Sequence, residues 1–148
     1  MKLTTLIGIS LMVGTQLQAA ALQVNVYKTR TCGCCSKWVE HLKTNGLVTQ
    51  VTEVPSTSDY RKQYGVPEKL QSCHTATVGG YTIEGHVPAA DIQRLLKERP
   101  KAKGLAVPGM PMGSPGMEGA RRDAYSVLLF ESDGRVSVYQ KYLSLIHI

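Results

Sequence analysis

Three of the chain's four cysteines fall within four residues, Cys32-Gly33-Cys34-Cys35, and the patterns on either side limit the local structure that can carry them. Upstream, Leu22-Gln23-Val24-Asn25-Val26-Tyr27 alternates with the period of a strand; downstream, Trp38, Val39 and Leu42 recur at helical spacing. The motif therefore sits at a strand-to-helix turn. Unpaired backbone N–H groups and the positive end of the helix dipole favour thiolate over thiol there, and thiolate is the form that attacks disulfides and binds metals. Cys32 and Cys35 have the C-x-x-C spacing of a redox dithiol. Cys34 adds a sulfur that such a pair does not need, which favours metal.

A length of 148 residues with 43% hydrophobic content suits one globular domain. Lys2, the mostly apolar residues 6–13 and the small residues Ala19-Ala20-Ala21 have the build of a secretory signal over residues 1–21. The apolar run is far short of the roughly 20 residues needed to span a bilayer. The mature chain is expected to start near Leu22, in a bacterial periplasm, with no membrane span. The net charge is +6, but Lys28, Arg30, Lys37, Lys43 and the other basic residues are scattered or in short pairs, with no aromatic interleaving. That pattern describes a solvated surface and no nucleic-acid partner. Export makes a disulfide framework the ordinary use of four cysteines. Three cysteines so close in sequence pair poorly with one another, although a Cys32–Cys35 disulfide or a bridge to Cys73 stays open.

Asn45-Gly46 ends the first helix, and residues 47–54 form a second strand, giving a βαβ unit. Thr57 or Ser58 caps a short helix over residues 59–64. A strand starts near His74, Gly79-Gly80 turns it, and residues 81–87 return antiparallel. Pro88 opens a helix whose stripe is Ile92, Leu95 and Leu96. This β-α-β-α-β-β-α order predicts an α/β, thioredoxin-like domain over residues 22–142. Residues 100–119 read as a Met/Pro/Gly-rich loop that must be mobile or lie against something. Residues 124–142 read as a C-terminal β-hairpin about Ser132-Asp133-Gly134, and residues 143–148 form an apolar tail left unassigned.

In such a fold the loop entering the third strand lies against the C-x-x-C turn, so Cys73 is expected to face Cys32, Cys34 and Cys35, with His74 close by. His86, at the edge of the same sheet, is a further candidate ligand. His41 points away from the motif and is assigned no role. Met110, Met112 and Met117 have neither helical nor strand period. Spaced thioethers beside clustered thiolates are a soft donor set, which favours Cu(I). Zinc is the less favoured alternative, because the paired cysteine knuckles of closed zinc sites are absent.

Cys32-Gly33-Cys34-Cys35, Ser72-Cys73-His74-Thr75-Ala76, Glu84-Gly85-His86-Val87-Pro88 and Val107-Pro108-Gly109-Met110-Pro111-Met112-Gly113-Ser114-Pro115-Gly116-Met117-Glu118 together resemble the CopG-like family of exported metal-binding proteins associated with bacterial copper resistance. The resemblance spans about residues 24–142. It implies a thioredoxin-like domain whose cysteines hold a cysteine-bridged cluster of several copper ions, with a role in copper redox handling. By matching motif the cysteine ligands are Cys32, Cys34, Cys35 and Cys73; His74, His86 and the three methionines match family motifs as well.

The expected function is thus a periplasmic protein that binds Cu(I) through clustered thiolates in copper resistance, with copper ions and other periplasmic copper-handling proteins as partners. Two alternatives remain: a thiol–disulfide oxidoreductase with Cys32 as nucleophile and Cys35 as resolving thiol, and a zinc-stabilised binding module. Enzymatic turnover, of copper or of thiols, is left open.

Overall fold

The computed structural model describes residues 22–143; the expected signal, residues 1–21, and residues 144–148 of the tail lie outside them. Seven strands form one mixed sheet, in the order β2-β1-β3-β4-β5-β6-β7. The strands are β1 (Gln23–Lys28), β2 (Val48–Glu53), β3 (Thr75–Val78), β4 (Tyr81–Glu84), β5 (Gly104–Ala106), β6 (Tyr125–Phe130) and β7 (Val136–Tyr142), and the helices are α1 (Gly33–Thr44), α2 (Ser58–Gln63) and α3 (Ala89–Glu98). β1 runs parallel to β2 through the α1 crossover and antiparallel to β3, and β3 and β4 form a hairpin. Gly79 and Gly80, both at positive φ, make its turn.

Alternation in β1 buries Val24 and Val26 against Trp38, Val39 and Leu42 of α1, while Ile92 and Leu95 bring α3 onto the same core with Ile83 and Leu105. Tyr27, on the opposite face of β1, stacks on Tyr60 of α2 at 4.2 Å between ring centroids. Lys28 departs from the solvated surface expected of the basic residues. It is only 5% exposed, because it ends β1 on the face of Val24 and Val26. Its ammonium group reaches the Thr29 carbonyl at 3.2 Å and lies 3.9 Å from Glu53.

The segment read as a loop contains β5, which is parallel to β4 and antiparallel to β6 and so joins the C-terminal hairpin to the sheet. Gly104 is what permits this pairing. A Cβ there would stand 1.8 Å from the Thr82 carbonyl oxygen, so any larger residue forces the strands apart.

The registers explain why distant segments meet. Tyr27 pairs with Thr75, Thr75 with Glu84, and Glu84 with Ala106. The end of β1, the start of β3, the end of β4 and the end of β5 therefore lie side by side, and the chain on each flank emerges at one end of the sheet.

Candidate metal centre

Cys32 is the N-cap residue of α1, with extended backbone and no capping hydrogen bond from its side chain. The helical turn that follows places Cys35, fully buried, on the inward face, while Cys34 stays at the rim. Cys32 and Cys35 are joined as a disulfide with their Cα atoms 5.3 Å apart; Cys34 and Cys73 are free. The sulfurs of Cys32, Cys34, Cys35 and Cys73 all lie within 4.8 Å of one another, Cys32 and Cys34 at 3.6 Å. The fourth comes from the segment that leads into β3, where the sequence places it.

Behind the sulfurs stand two buried imidazoles. Cys73 Sγ lies 3.0 Å from His86 Nε2 and 3.4 Å from His74 Nδ1. Ser114 Oγ donates to the Pro111 carbonyl at 2.7 Å, so its oxygen is left to accept, at 3.3 Å, from His86 Nδ1. That arrangement places the His86 proton on Nδ1 and turns the Nε2 lone pair toward Cys73. His74 stacks against Trp38 at 4.2 Å, and its Nε2 is buried with no hydrogen-bond partner. Burial, with His86 beside it, pushes the His74 pKa down to about 3. Burial likewise takes His86 down to about 4, against the pull of the Glu118 carboxylate. Both rings are therefore neutral at physiological pH, which is the form that binds metal. Burial, aided by the Cys34 thiol, pushes the Cys73 thiol up to about 12. The thiolate character expected at the start of α1 does not extend to this sulfur, and a soft cation has to displace its proton.

The Met/Pro/Gly segment lies against the site. A Cβ at Gly116, where φ is +93°, would come 2.5 Å from the Cys34 carbonyl oxygen, so glycine lets this backbone press on the first turn of α1. Within the segment itself, the Glu118 carboxylate accepts the Gly116 N–H at 2.9 Å. Met110, half exposed, brings its sulfur to 3.9 Å from Cys34 Sγ. Met112 is packed beside Gly119, and among the described residues neither it nor Met117 shows such an approach to a cysteine. His41 is occupied elsewhere, accepting from the Ala89 N–H at 3.1 Å at the start of α3. Ser114 belongs to the site without having been singled out from sequence, since a lone serine in a Pro/Gly-rich run carries no period.

With the Cys32–Cys35 disulfide reduced, four sulfurs and two neutral imidazoles form a donor set able to hold metal. The His74 nitrogen that faces the sulfurs is Nδ1, 3.4 Å from Cys73 Sγ. Residues 70–117 match a family described as a protein of unknown function, DUF411. No curated protein matches the chain. The solved structure titled "Copper resistance protein copG- Form 1" is 44% identical, with a TM-score of 0.79 over 83% of this chain and 98% of its own. "Copper resistance protein copG- Form 2" is 45% identical, with a TM-score of 0.78 over 82% of this chain and 98% of its own. Identity of that order, held over most of both chains with the same fold, makes this chain a member of the CopG family of copper resistance proteins.

Proposed function

We propose that this protein binds Cu(I), several ions per chain, through the bridging sulfurs of Cys32, Cys34, Cys35 and Cys73, and that it does so in the periplasm as part of copper resistance. The observation that carries the reading is the approach of four sulfurs to within 4.8 Å of one another. Once the Cys32–Cys35 disulfide is reduced, thiolates so close repel unless cations lie between them, and Cu(I) accepts the low coordination and sulfur bridging that such spacing requires. His86 and His74 then serve as inner ligands and Met110 as an outer one, with Met112 and Met117 next in order. Zinc is disfavoured by the same donors, because thioethers do not select it.

The parallel β1-α1-β2 unit and the β3-β4 hairpin beside it support a thioredoxin-like domain over residues 22–142. Among the described residues no helix is long and apolar enough to cross a membrane. With residues 1–21 as an export signal, the periplasm is the proposed compartment and other copper-handling proteins there the proposed partners.

The Cys32–Cys35 disulfide gives the oxidoreductase alternative its specific support. It also sets a condition on copper binding: two electrons and two protons must convert the disulfide to two thiols before all four sulfurs can ligate. Cu(I)/Cu(II) cycling at the centre would draw on the same sulfurs. Cys34→Ser separates the readings. In the reduced protein, Cu(I) retained after desalting is expected to fall by at least half, while Cys32/Cys35 disulfide exchange with a dithiol continues. Copper retention untouched by the substitution, with exchange intact, would favour the oxidoreductase.

A further inference from the structure

We infer that the buried Glu84–Arg61 pair is a positioning device for the metal centre, gripping both backbone groups of Ser72 and so fixing where the Cys73 sulfur stands. The inference rests on the metal reading above and adds residues that are not themselves ligands.

Cys73 lies on backbone with no regular pairing of its own. The single 3-10 turn Glu68–Leu70 ends before it, and β3 begins after it at Thr75. Its position must come from bonds outside a strand ladder, those of side chains among them. Glu84, fully buried at the end of β4, accepts the Ser72 N–H at 2.7 Å and Arg61 Nε at 3.0 Å on one carboxylate oxygen. Its other oxygen accepts Thr75 Oγ1 at 2.7 Å. Arg61 Nη2, reaching in from α2, donates to the Ser72 carbonyl. The peptide groups on both sides of Ser72 are thus held by one charged pair. Ser72 Oγ in turn donates to the Gly109 carbonyl, and the Gly109 N–H donates back to Gln71 O at 3.3 Å, so the same grip reaches the residue before Met110. On the far side of Cys73, the Gly85 N–H holds the His74 carbonyl at 3.0 Å.

Burying an ion pair is a poor route to stability, since apolar residues of similar volume often do as well or better. What a largely buried pair, hydrogen-bonded on both partners, supplies is fixed geometry. Here the geometry fixed is the distance between a sulfur on the β3 side of the cleft and the three on α1. A planar guanidinium is needed, because one Arg61 nitrogen faces Glu84 and another faces the Ser72 carbonyl; an ammonium group cannot span both.

Glu84→Gln and Arg61→Lys test this in two states. In the metal-free, reduced protein at neutral pH, iodoacetamide is expected to label Cys73 about tenfold faster than in the unaltered chain while Cys34 is unchanged, the equivalent of about 1.4 kcal/mol of easier local opening. After Cu(I) loading and desalting, the variants are expected to retain less copper, with Cys73 labelled and Cys34 still protected. Wild-type labelling rates and wild-type copper content in both folded variants would overturn the inference, as would equal acceleration at both cysteines, which reports general loosening. Should Glu84→Gln not fold, Arg61→Lys decides, since the Arg61 side chain is 13% exposed and lysine can reach solvent there. An unaltered protein that retains no copper overturns the metal reading alone, and the labelling of metal-free protein still decides the grip.

Discussion

Trp38→Ala is expected to cost about 3–5 kcal/mol of unfolding free energy, measured by urea denaturation of the metal-free protein. Trp38 is fully buried at the centre of the core, where α1 meets the sheet. Its truncation removes the largest side chain in that layer and leaves a cavity that neighbours fixed in helix and strand cannot fill. It also removes the Nε1–H donated at 2.8 Å to the Val87 carbonyl, leaving that acceptor unpaired. The indole is the wall on which the His74 ring lies, so the variant is expected to lose copper retention as well. A cost below about 1 kcal/mol would mean that the site and the core are not built on one residue.

Acidification is expected to destabilise the metal-free protein steeply between about pH 6.5 and pH 4. Unfolded, His74 and His86 titrate near 6.5; folded, burial holds them at about 3 and about 4. Below 6.5 the unfolded chain takes up protons that the folded chain refuses. Stability is therefore present above 6.5 and falls with pH, at about 1.4 kcal/mol per unit for each histidine, until the folded rings also titrate. Groups facing the rings modify the slope. Lys28 and Arg61 add positive potential that lowers the His74 pKa further, and Glu118 opposes the shift at His86. Glu84, whose carboxyl is pushed up by burial against the pull of its hydrogen bonds, works in the other direction: its proton is held more tightly folded than unfolded, which favours the fold on acidification near its own range. Urea midpoints measured from pH 7.5 to 4 should fall, with the steepest loss below 6.5. A flat profile would contradict the burial of two neutral imidazoles.

Much of the architecture was legible because its signals are local. The alternation in residues 22–27, the helical spacing of Trp38, Val39 and Leu42, and the glycine pair at 79–80 each report short-range geometry, and the structure carries β1, α1 and the β3-β4 hairpin where they fall. β5 escaped because Gly-Leu-Ala is too short to alternate and its glycine reads as a loop residue. That glycine is required by a strand on its flank, which no local pattern can announce. Lys28 was misplaced because composition assigns charge to the surface, whereas strand parity puts this residue on the inner face. At the site, the cysteine motif and Cys73 were readable from residue type. Arg61, Glu84 and Ser114 were not, since each acts through a partner 11 or more residues away.

The central claim is a multi-copper thiolate site, and copper content with thiol accounting reaches it most directly. The protein, reduced and loaded with Cu(I) without oxygen, is desalted and assayed for copper per chain and for cysteines open to alkylation. More than one copper per chain is expected, with all four cysteines protected until a Cu(I) chelator is added. No retained copper, with four thiols freely alkylated and Cys32 and Cys35 returning to a disulfide in air, would contradict it and leave a dithiol oxidoreductase in its place.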